Sequence, residues 1–405
     1  MAKQTLYITF DGLSDPLGQS QILPYLVGLS QKGYHITILS CEKKDRLDKE
    51  LPNIKKLIGS TSIHWEYVIY NQVGNFLTRL SYIRQLNRLA KKYHSEKKFK
   101  LIHCRSYLSA LIGLNLKNKF RIPFLFDMRG FWADERLDGK IWNKNKLLDR
   151  AFYTFFKSKE KQFLEKADAI ISLTSSAVPV LQKNFPGINI EKKTTVIPCC
   201  VNTALFNPSP NLAPFPLDDL KKSDHLLIYT GSIGTWYYTK EMIDCVLEWA
   251  AIIPEIKLLI VTKDISEIER ILTGYTTEQK QRIIYTSANY SQMPAVLSHA
   301  KASIFFIKPA FSKIASSPTK MAECWAMNIP IITNSGIGDN DFYFNQLKGG
   351  VLVTDFTNEH YRMAARKYLS LLNSAANYRS IALKHFDTQQ AIESYSEIYN
   401  ALTSE

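Results

Sequence analysis

Ser303-Ile-Phe-Phe-Ile-Lys308-Pro-Ala-Phe-Ser-Lys313-Ile-Ala-Ser316-Ser-Pro-Thr-Lys320-Met-Ala-Glu323-Cys-Trp-Ala-Met-Asn-Ile-Pro-Ile-Ile-Thr333 reads as strand, loop, helix and second strand. Apolar runs mark strands at Ser303–Ile307 and Pro330–Thr333, and the spacing between them predicts a helix over Thr319–Met327. Ser316 or Ser317 fits the N-cap, with Pro318 at the first helical position. Unbonded amides of that first turn, and the helix dipole, suit a diphosphate. Lys308, Lys313 and Lys320 add positive charge around the same point. Glu323 stands one to two turns in, where a carboxylate accepts both hydroxyls of a ribose. The plain alternative is a capped helix with surface lysines, and the clustering of these residues argues against it.

The same alternation extends both ways along the chain. Downstream of residue 225, strand-like runs occur at Leu226–Thr230, Lys257–Val261, Arg282–Tyr285 and Gly350–Val353 as well, with helical patterns at Thr239–Ala251, Ile265–Leu272 and Met293–His299. Upstream, strand-like runs recur at Thr5–Phe10, His35–Cys41, Ile63–Tyr70, Leu101–Cys104, Phe124–Phe126, Ala169–Leu173 and Thr195–Pro198, with amphipathic stretches at Ser20–Lys32 and Phe76–Tyr93. Alternating strands and helices imply parallel sheets covered by helices. Between the halves, Asn207-Pro-Ser-Pro-Asn-Leu-Ala-Pro-Phe-Pro216 carries four prolines in ten residues and reads as a linker. The expected architecture is α/β, with two Rossmann-like doubly wound domains facing a cleft. Ligands of such sheets bind beyond the carboxyl ends of the strands.

Two further loops follow strands. Asp11-Gly-Leu-Ser-Asp-Pro-Leu-Gly18-Gln19 joins the first strand to a helix, and its glycines suit close approach of an anion to the backbone. It does not spell the dinucleotide fingerprint, and an ordinary strand–helix turn explains it equally well. Thr230-Gly231-Ser232-Ile-Gly234-Thr235-Trp236-Tyr237 opens the second half, with aromatics suited to stacking on a base or sugar. A tight turn capped by a core aromatic is the other reading.

Charge is divided unevenly. The chain has 405 residues and a formal net charge of +14, yet residues 1–210 hold 33 Lys+Arg against 17 Asp+Glu, whereas residues 211–405 hold 18 against 20. A basic first domain suits an anionic surface. Hydrophobic residues make up 45% and aromatics 12%, as in a folded protein. No run approaches the roughly 18 apolar residues of a membrane-spanning helix. No signal-peptide core precedes the first strand, so a cytoplasmic location is expected. The six cysteines match neither a redox motif nor a zinc spacing and are expected to be buried thiols.

Six segments, in order, resemble the retaining glycosyltransferases of family 4, which have the GT-B fold. They are Ala167–Thr174, Thr195–Pro208, the Gly231 turn, Ser317–Thr333, Thr333–Asp339 and His385–Tyr399. The resemblance implies an acceptor-binding domain over 1–204, a donor-binding domain over 205–385, and a last helix, 386–405, returning to the first domain. It places Glu323 at the second glutamate of the family's E-x7-E motif. Ala315 falls at the first, so that contact to the donor sugar is missing or supplied by Ser316 or Lys313. The arginine of the glycine turn falls at Ser232, leaving Lys313, with Lys308 and Lys263 behind it, to meet the diphosphate. Donor-side candidates are therefore Gly231, Ser232, Gly234, Thr235, Lys263, Lys308, Ser316, Ser317, Pro318, Thr319, Lys320 and Glu323. Asp127-Met-Arg129-Gly-Phe-Trp132-Ala-Asp134-Glu135 resembles a subgroup acting on growing cell-surface glycans. Asp127, Arg129 and Lys313 are the catalytic candidates. Asp11, Gly18, Gln19, Arg105, Trp132 and Glu135 are those on the acceptor side.

The resemblance implies a hexosyl transfer from a nucleotide sugar, UDP before GDP, to a cell-surface glycan or lipid-linked acceptor. It implies no cofactor and no metal. Asp339-Asn-Asp341 is expected to be a polar loop, with activity retained in EDTA. Two segments suit an anionic membrane surface: Leu77–Lys92, with a core-facing stripe as the alternative, and the aromatic, basic stretch Ile141–Phe163. A core-facing stripe is the alternative for the second as well, and the basic first half favours peripheral attachment to the inner face of the cytoplasmic membrane. Nothing resembles a nucleic-acid reading module. A catalytically inert nucleotide-sugar-binding subunit, suggested by Ala315 and Ser232, and a nucleotide-sugar 2-epimerase are the rival readings.

Overall fold

The computed structural model describes residues 3–70, 76–209, 215–216, 225–373 and 376–404. The chain divides into two units: Met1–Cys200 with Thr388–Glu405, and Val201–Asp387. These divisions lie a few residues from the 204/205 and 385/386 read from the sequence. Residues 210–214, half of the proline-rich linker, and 217–224 after it lie outside the described residues.

In the first unit the strands are β1 (Lys3–Ile8), β2 (Tyr34–Glu42), β3 (Ile63–Ile69), β4 (Leu101–Arg105), β5 (Phe124–Asp127), β6 (Ala169–Ser172) and β7 (Thr194–Val196). They form one sheet in the order β3-β2-β1-β4-β5-β6-β7, and every pairing is parallel. Central strands such as β4 are buried throughout, because helices cover both faces of a parallel sheet. Strand order reverses between β1 and β4, which is where a doubly wound sheet opens a ligand crevice. The carboxyl ends of β1, β4 and β5 deliver Asp11, Arg105 and Asp127 there.

Helix Thr388–Thr403 completes this unit. It packs on helix Leu23–Gln31, where a Cβ on Gly28 would lie 2.3 Å from Ile392. Tyr34 donates its hydroxyl proton to this helix, and Tyr399 shares a 2.8 Å hydrogen bond with Nδ1 of His103. The expected helix Ser20–Lys32 is instead two helices, Pro16–Gln21 and Leu23–Gln31, broken at Ile22. Pro24 lacks the N–H that a continuous helix needs and so starts the second segment.

Strands β8 (His225–Thr230), β9 (Ile256–Val261), β10 (Ile283–Thr286), β11 (Ala302–Ile304), β12 (Ile331–Asn334) and β13 (Gly350–Val353) build the second unit's parallel sheet. Their order is β10-β9-β8-β11-β12-β13, reversing between β8 and β11. The Gly231 turn follows β8 and the lysine-rich loop follows β11, so both flank this switch point. β11 ends three residues before the expected Ile307. There the side-chain amide of Asn334 takes over the ladder, accepting from Ile307 N at 2.8 Å and donating to Ile307 O at 2.9 Å. That handover frees the chain to leave the sheet and carry Lys308–Pro318 outward.

Candidate functional site

In the second unit, the turn after β8 is built on left-handed backbone, with φ of +139° at Gly231, +80° at Gly234 and +43° at Thr235. Ile233 N donates to Asp264 Oδ2 at 2.9 Å, and Lys308 N donates to Trp236 O at 2.8 Å. The turn is thus pinned to both neighbouring loops, with Gly231, Ser232 and Thr235 exposed. Lys313 lies in a short 3-10 segment, Phe311–Ala315, and its Nζ sits 3.6 Å from the Trp236 ring centroid. Lys320 Nζ sits 3.8 Å from the Tyr237 centroid and 4.3 Å from that of Tyr229. Trp236 and Tyr237, expected to stack on a base or sugar, each present a ring face to a lysine instead. Exposed Lys263 stands after β9, and Lys308, half-buried, after β11.

The helix N-terminus differs from the sequence reading by one residue. Pro318 has φ −68° and ψ 123°, so it is the N-cap and the helix runs Thr319–Ala326. Its carbonyl accepts the Met321 N–H at 3.1 Å. Proline has no side-chain acceptor, so Ser316 and Ser317 stand before the cap and no N-cap side chain bonds to the first turn. Glu323 lies on this helix with Lys320 one turn before it. Burial pushes the Glu323 carboxyl up to about 7, against the opposing pull of Lys320. Burial likewise pushes the Lys320 ammonium down to about 7.

In the first unit, Asp127 is 1% exposed at the end of β5. Three cations or potential cations face it: Arg105 Nη1 at 3.6 Å, His103 Nε2 at 3.6 Å and Arg129 Nη1 at 3.7 Å. Burial alone would raise its pKa, but Arg129, His103 and Arg105 outweigh it and hold the carboxyl below its usual value. Arg129 reaches back over Asp127 from a left-handed backbone, φ +57°, a conformation uncommon outside glycine and typical of sites. Its Nη2 also contacts Cys199 Sγ at 3.3 Å. Arg105 Nε donates to Asp11 Oδ2 at 3.1 Å. Asp11, Arg105, Asp127 and Arg129 therefore form one cluster.

The other acceptor-side candidates stand apart from that cluster. Gly18 is packed so tightly that a Cβ would lie 2.0 Å from Gly12 O, and Gln19 Nε2 donates to Ser14 O at 3.4 Å. Trp132 is enclosed by aromatic rings and Arg136, whose guanidinium carbon lies 3.4 Å from its centroid. Glu135 follows on the same helix, Trp132–Asp138.

Residues 25–205 match Glycosyltransferase Family 4. The chain is a glycosyltransferase. No curated protein matches the sequence. Solved structures share the fold at low identity. Sucrose-phosphate synthase from Thermosynechococcus elongatus is 16% identical over 99% of both chains, with a TM-score of 0.71. Anabaena HepE, in complex with UDP and glucose, is 13% identical over 98% of this chain and 100% of its own, at 0.68. WaaG, a glycosyltransferase involved in lipopolysaccharide biosynthesis, is 13% identical over 98% and 99%, at 0.63. The two sheets are those of the GT-B fold.

Three parts of this glycosyltransferase were not singled out from sequence. His103 and Tyr395 join the Asp127 cluster, Tyr395 donating to Asp127 Oδ2 at 3.4 Å. Glu42, fully buried, accepts from Leu13 N at 2.7 Å and Ser14 N at 3.1 Å, and so shapes the loop after β1. Its place at the carboxyl end of an apolar strand was the one available signal. Asp341 Oδ2 accepts from Gly336 N at 3.2 Å, a loop bond within the D-x-D spelling. Among the described residues no group of three acidic, histidine or cysteine side chains is placed to hold a metal. All six cysteines are buried and free of disulfides.

Proposed function

We propose that this glycosyltransferase takes a sugar from a nucleoside-diphosphate sugar, UDP before GDP, with retention at the anomeric carbon. The acceptor is a cell-surface glycan or a lipid-linked precursor. The observation that carries the donor assignment is the convergence of Lys313, Lys320, the helix Thr319–Ala326 and the Gly231 turn at the switch point of the second sheet. HepE, of the same fold, was solved with UDP and glucose, which supports UDP. The role of WaaG in lipopolysaccharide biosynthesis supports a glycan acceptor.

In this reading the bond between the anomeric carbon and the diphosphate oxygen breaks as the acceptor oxygen bonds to the same carbon. The acceptor's proton ends on the departing diphosphate. Negative charge grows on that diphosphate, and fixed cations and first-turn amides stabilise it more in the transition state than in the ground state. Glu323 accepts the ribose hydroxyls. Asp127 and Arg129, steadied by Arg105 and Asp11, orient the acceptor and the sugar. No metal takes part. The basic first unit works against an anionic membrane at the cytoplasmic face. No described helix is long and apolar enough to cross a membrane.

A thermal-shift panel of UDP, GDP, ADP and CMP in EDTA tests the reading, because a ligand that binds the native state raises the melting temperature. A rise with one diphosphate, lost in Glu323→Ala, is the expected result. No rise with any of them overturns the donor assignment.

A further inference from the structure

Lys320 is 5% exposed, and its Nζ lacks a hydrogen-bond partner. Its surroundings are aromatic: Tyr237 at 3.8 Å, Tyr229 at 4.3 Å and Phe305 at 5.3 Å from their centroids. A buried ammonium with no carboxylate within 4 Å is costly, and the more distant Glu323 and the ring faces return only part of that cost. One side of the cage is the backbone of the exposed Gly231, where a Cβ would lie 2.9 Å from Nζ. The lysine is thus held just under the turn after β8, at the start of the helix whose first turn has no N-cap side chain. A carboxylate in the cage would neutralise the lysine and compete with an incoming anion. The aromatic wall holds it without neutralising it.

We propose that Lys320 is the cation that receives the diphosphate of the sugar donor, and that it takes up a proton as the diphosphate binds. The proposal rests on the second unit being a nucleoside-diphosphate site. With the site empty, the cage favours the neutral amine. An arriving diphosphate supplies the missing counter-charge, so the complex holds the ammonium. The proton comes from solvent and stays on Nζ, where it strengthens the pull on the leaving group as the glycosidic bond breaks.

The groups facing Lys320 allow its proton to be isolated. Glu323 and Cys324 lie on its own helix, Tyr229 is on β8 with Asp264 nearby, and Tyr237 is in the turn. Burial holds the Tyr229 hydroxyl and the Cys324 thiol protonated well past neutrality. Glu323 ionises near pH 7, so at pH 8 it is already a carboxylate. A nucleoside diphosphate, with a last pKa of about 6, is also fully ionised there. Lys320, near 7 in the empty site, is mostly neutral at pH 8 and is left as the group able to gain a proton.

Titration calorimetry at pH 8, in two buffers of different ionisation enthalpy, reads that proton directly. With UDP the wild-type chain is expected to take up close to one proton per ligand, and with uridine none. Lys320→Met is expected to lose the uptake and to bind UDP roughly ten- to a hundredfold more weakly at pH 6, where the wild-type ammonium is formed. Lys320→Arg, charged throughout, is expected to keep binding while losing the uptake, a result that a purely structural lysine would not give. UDP binding to wild type without proton uptake overturns the proposal and leaves the donor site standing. Unchanged uptake in either variant does the same. No binding of UDP, GDP or ADP to wild type overturns the donor-site reading itself, and this proposal with it.

Discussion

Asp127 and Lys320 are both buried charges, and opposite surroundings give them opposite effects on stability. Asp127 is surrounded by Arg105, Arg129 and His103, so replacing it with asparagine strands the Arg129 guanidinium in the interior and leaves Arg105 with Asp11 alone. Breaking such a buried set costs about 3–5 kcal/mol. The Asp127 carboxyl is held below its unfolded value, so its contribution is fully present above roughly pH 4 and is lost as pH falls through the folded value. Lys320 has no carboxylate within 4 Å, and burial holds its folded value at about 7 against 10.5 for a free lysine. The folded chain therefore binds fewer protons between those values, and stability rises with pH across that window. Lys320→Met removes the group that suffers, with a gain of about 4 kcal/mol as an upper bound at pH 7, fading towards pH 10. Denaturant melts at pH 7 are expected to show Asp127→Asn less stable and Lys320→Met more stable than wild type. A less stable Lys320→Met would mean that the ammonium is structural. A donor site whose lysine is held against its own protonation is expected to be more stable without it, which is the mark of a residue kept for binding.

Two helices with similar sequence patterns divide differently between core and surface. In helix Phe76–Lys97, Tyr82, Leu86, Ala90 and Tyr93 are buried, so the stripe read as a membrane candidate faces its own unit's core at those positions. The side chains of Phe76, Leu77 and Arg79 lie outside the described residues. Helix Leu147–Lys166 buries Phe156, Glu160, Phe163 and Leu164 but exposes Leu147 by 78% and Leu148 by 73%. Ile141, 63% exposed, precedes it, and Lys140, Lys144, Lys146 and Arg150 around these residues are exposed. Apolar side chains ringed by lysines suit an anionic bilayer. Leu147→Asp with Leu148→Asp is expected to abolish sedimentation with phosphatidylglycerol vesicles while leaving the melting temperature unchanged, since neither leucine is packed. Leu86→Asp is expected to unfold the first unit. Vesicle binding that survives the double change would remove this face from the proposal. The central elements were legible because parallel strands buried on both faces spell largely apolar runs, as β5, β8 and β9 do here. The illegible parts depend on single side chains acting across the sequence. Asn334 ends β11 early, and the direction of each helix stripe depends on what packs against it.

At the scale of the whole chain, the donor-side candidates Lys313 and Lys320 could be suspected from one stretch of sequence. Their pairing with Tyr229, Trp236 and Tyr237 could not, because those rings come from β8 and the turn after it, far from that stretch in the chain. The acceptor-side cluster hides its composition in the same way, drawing Tyr395 and, through His103, Tyr399 from the far end of the chain. That return has a mechanical consequence. Helix Thr388–Thr403 buries Ile392, Tyr395, Ile398 and Tyr399 in the first unit, whereas the second has its own core from Val201 to Phe386. A chain ending at Asp387 removes those four side chains, each worth about 1.5–3 kcal/mol of burial, from a unit of ordinarily marginal stability. It also takes the Tyr395 hydroxyl from the Asp127 cluster and the Tyr399 hydroxyl from His103. The truncated chain is therefore expected to lose the first unit's folding transition and to keep the second's. The remaining transition should still move upward with the nucleoside diphosphate that the intact chain binds. Hydrogen exchange resolves the two units: β1, β4 and β5 should lose protection, while β8 and β11 should keep it. Retained protection in β1 and β4 would show that the first unit folds without its last helix.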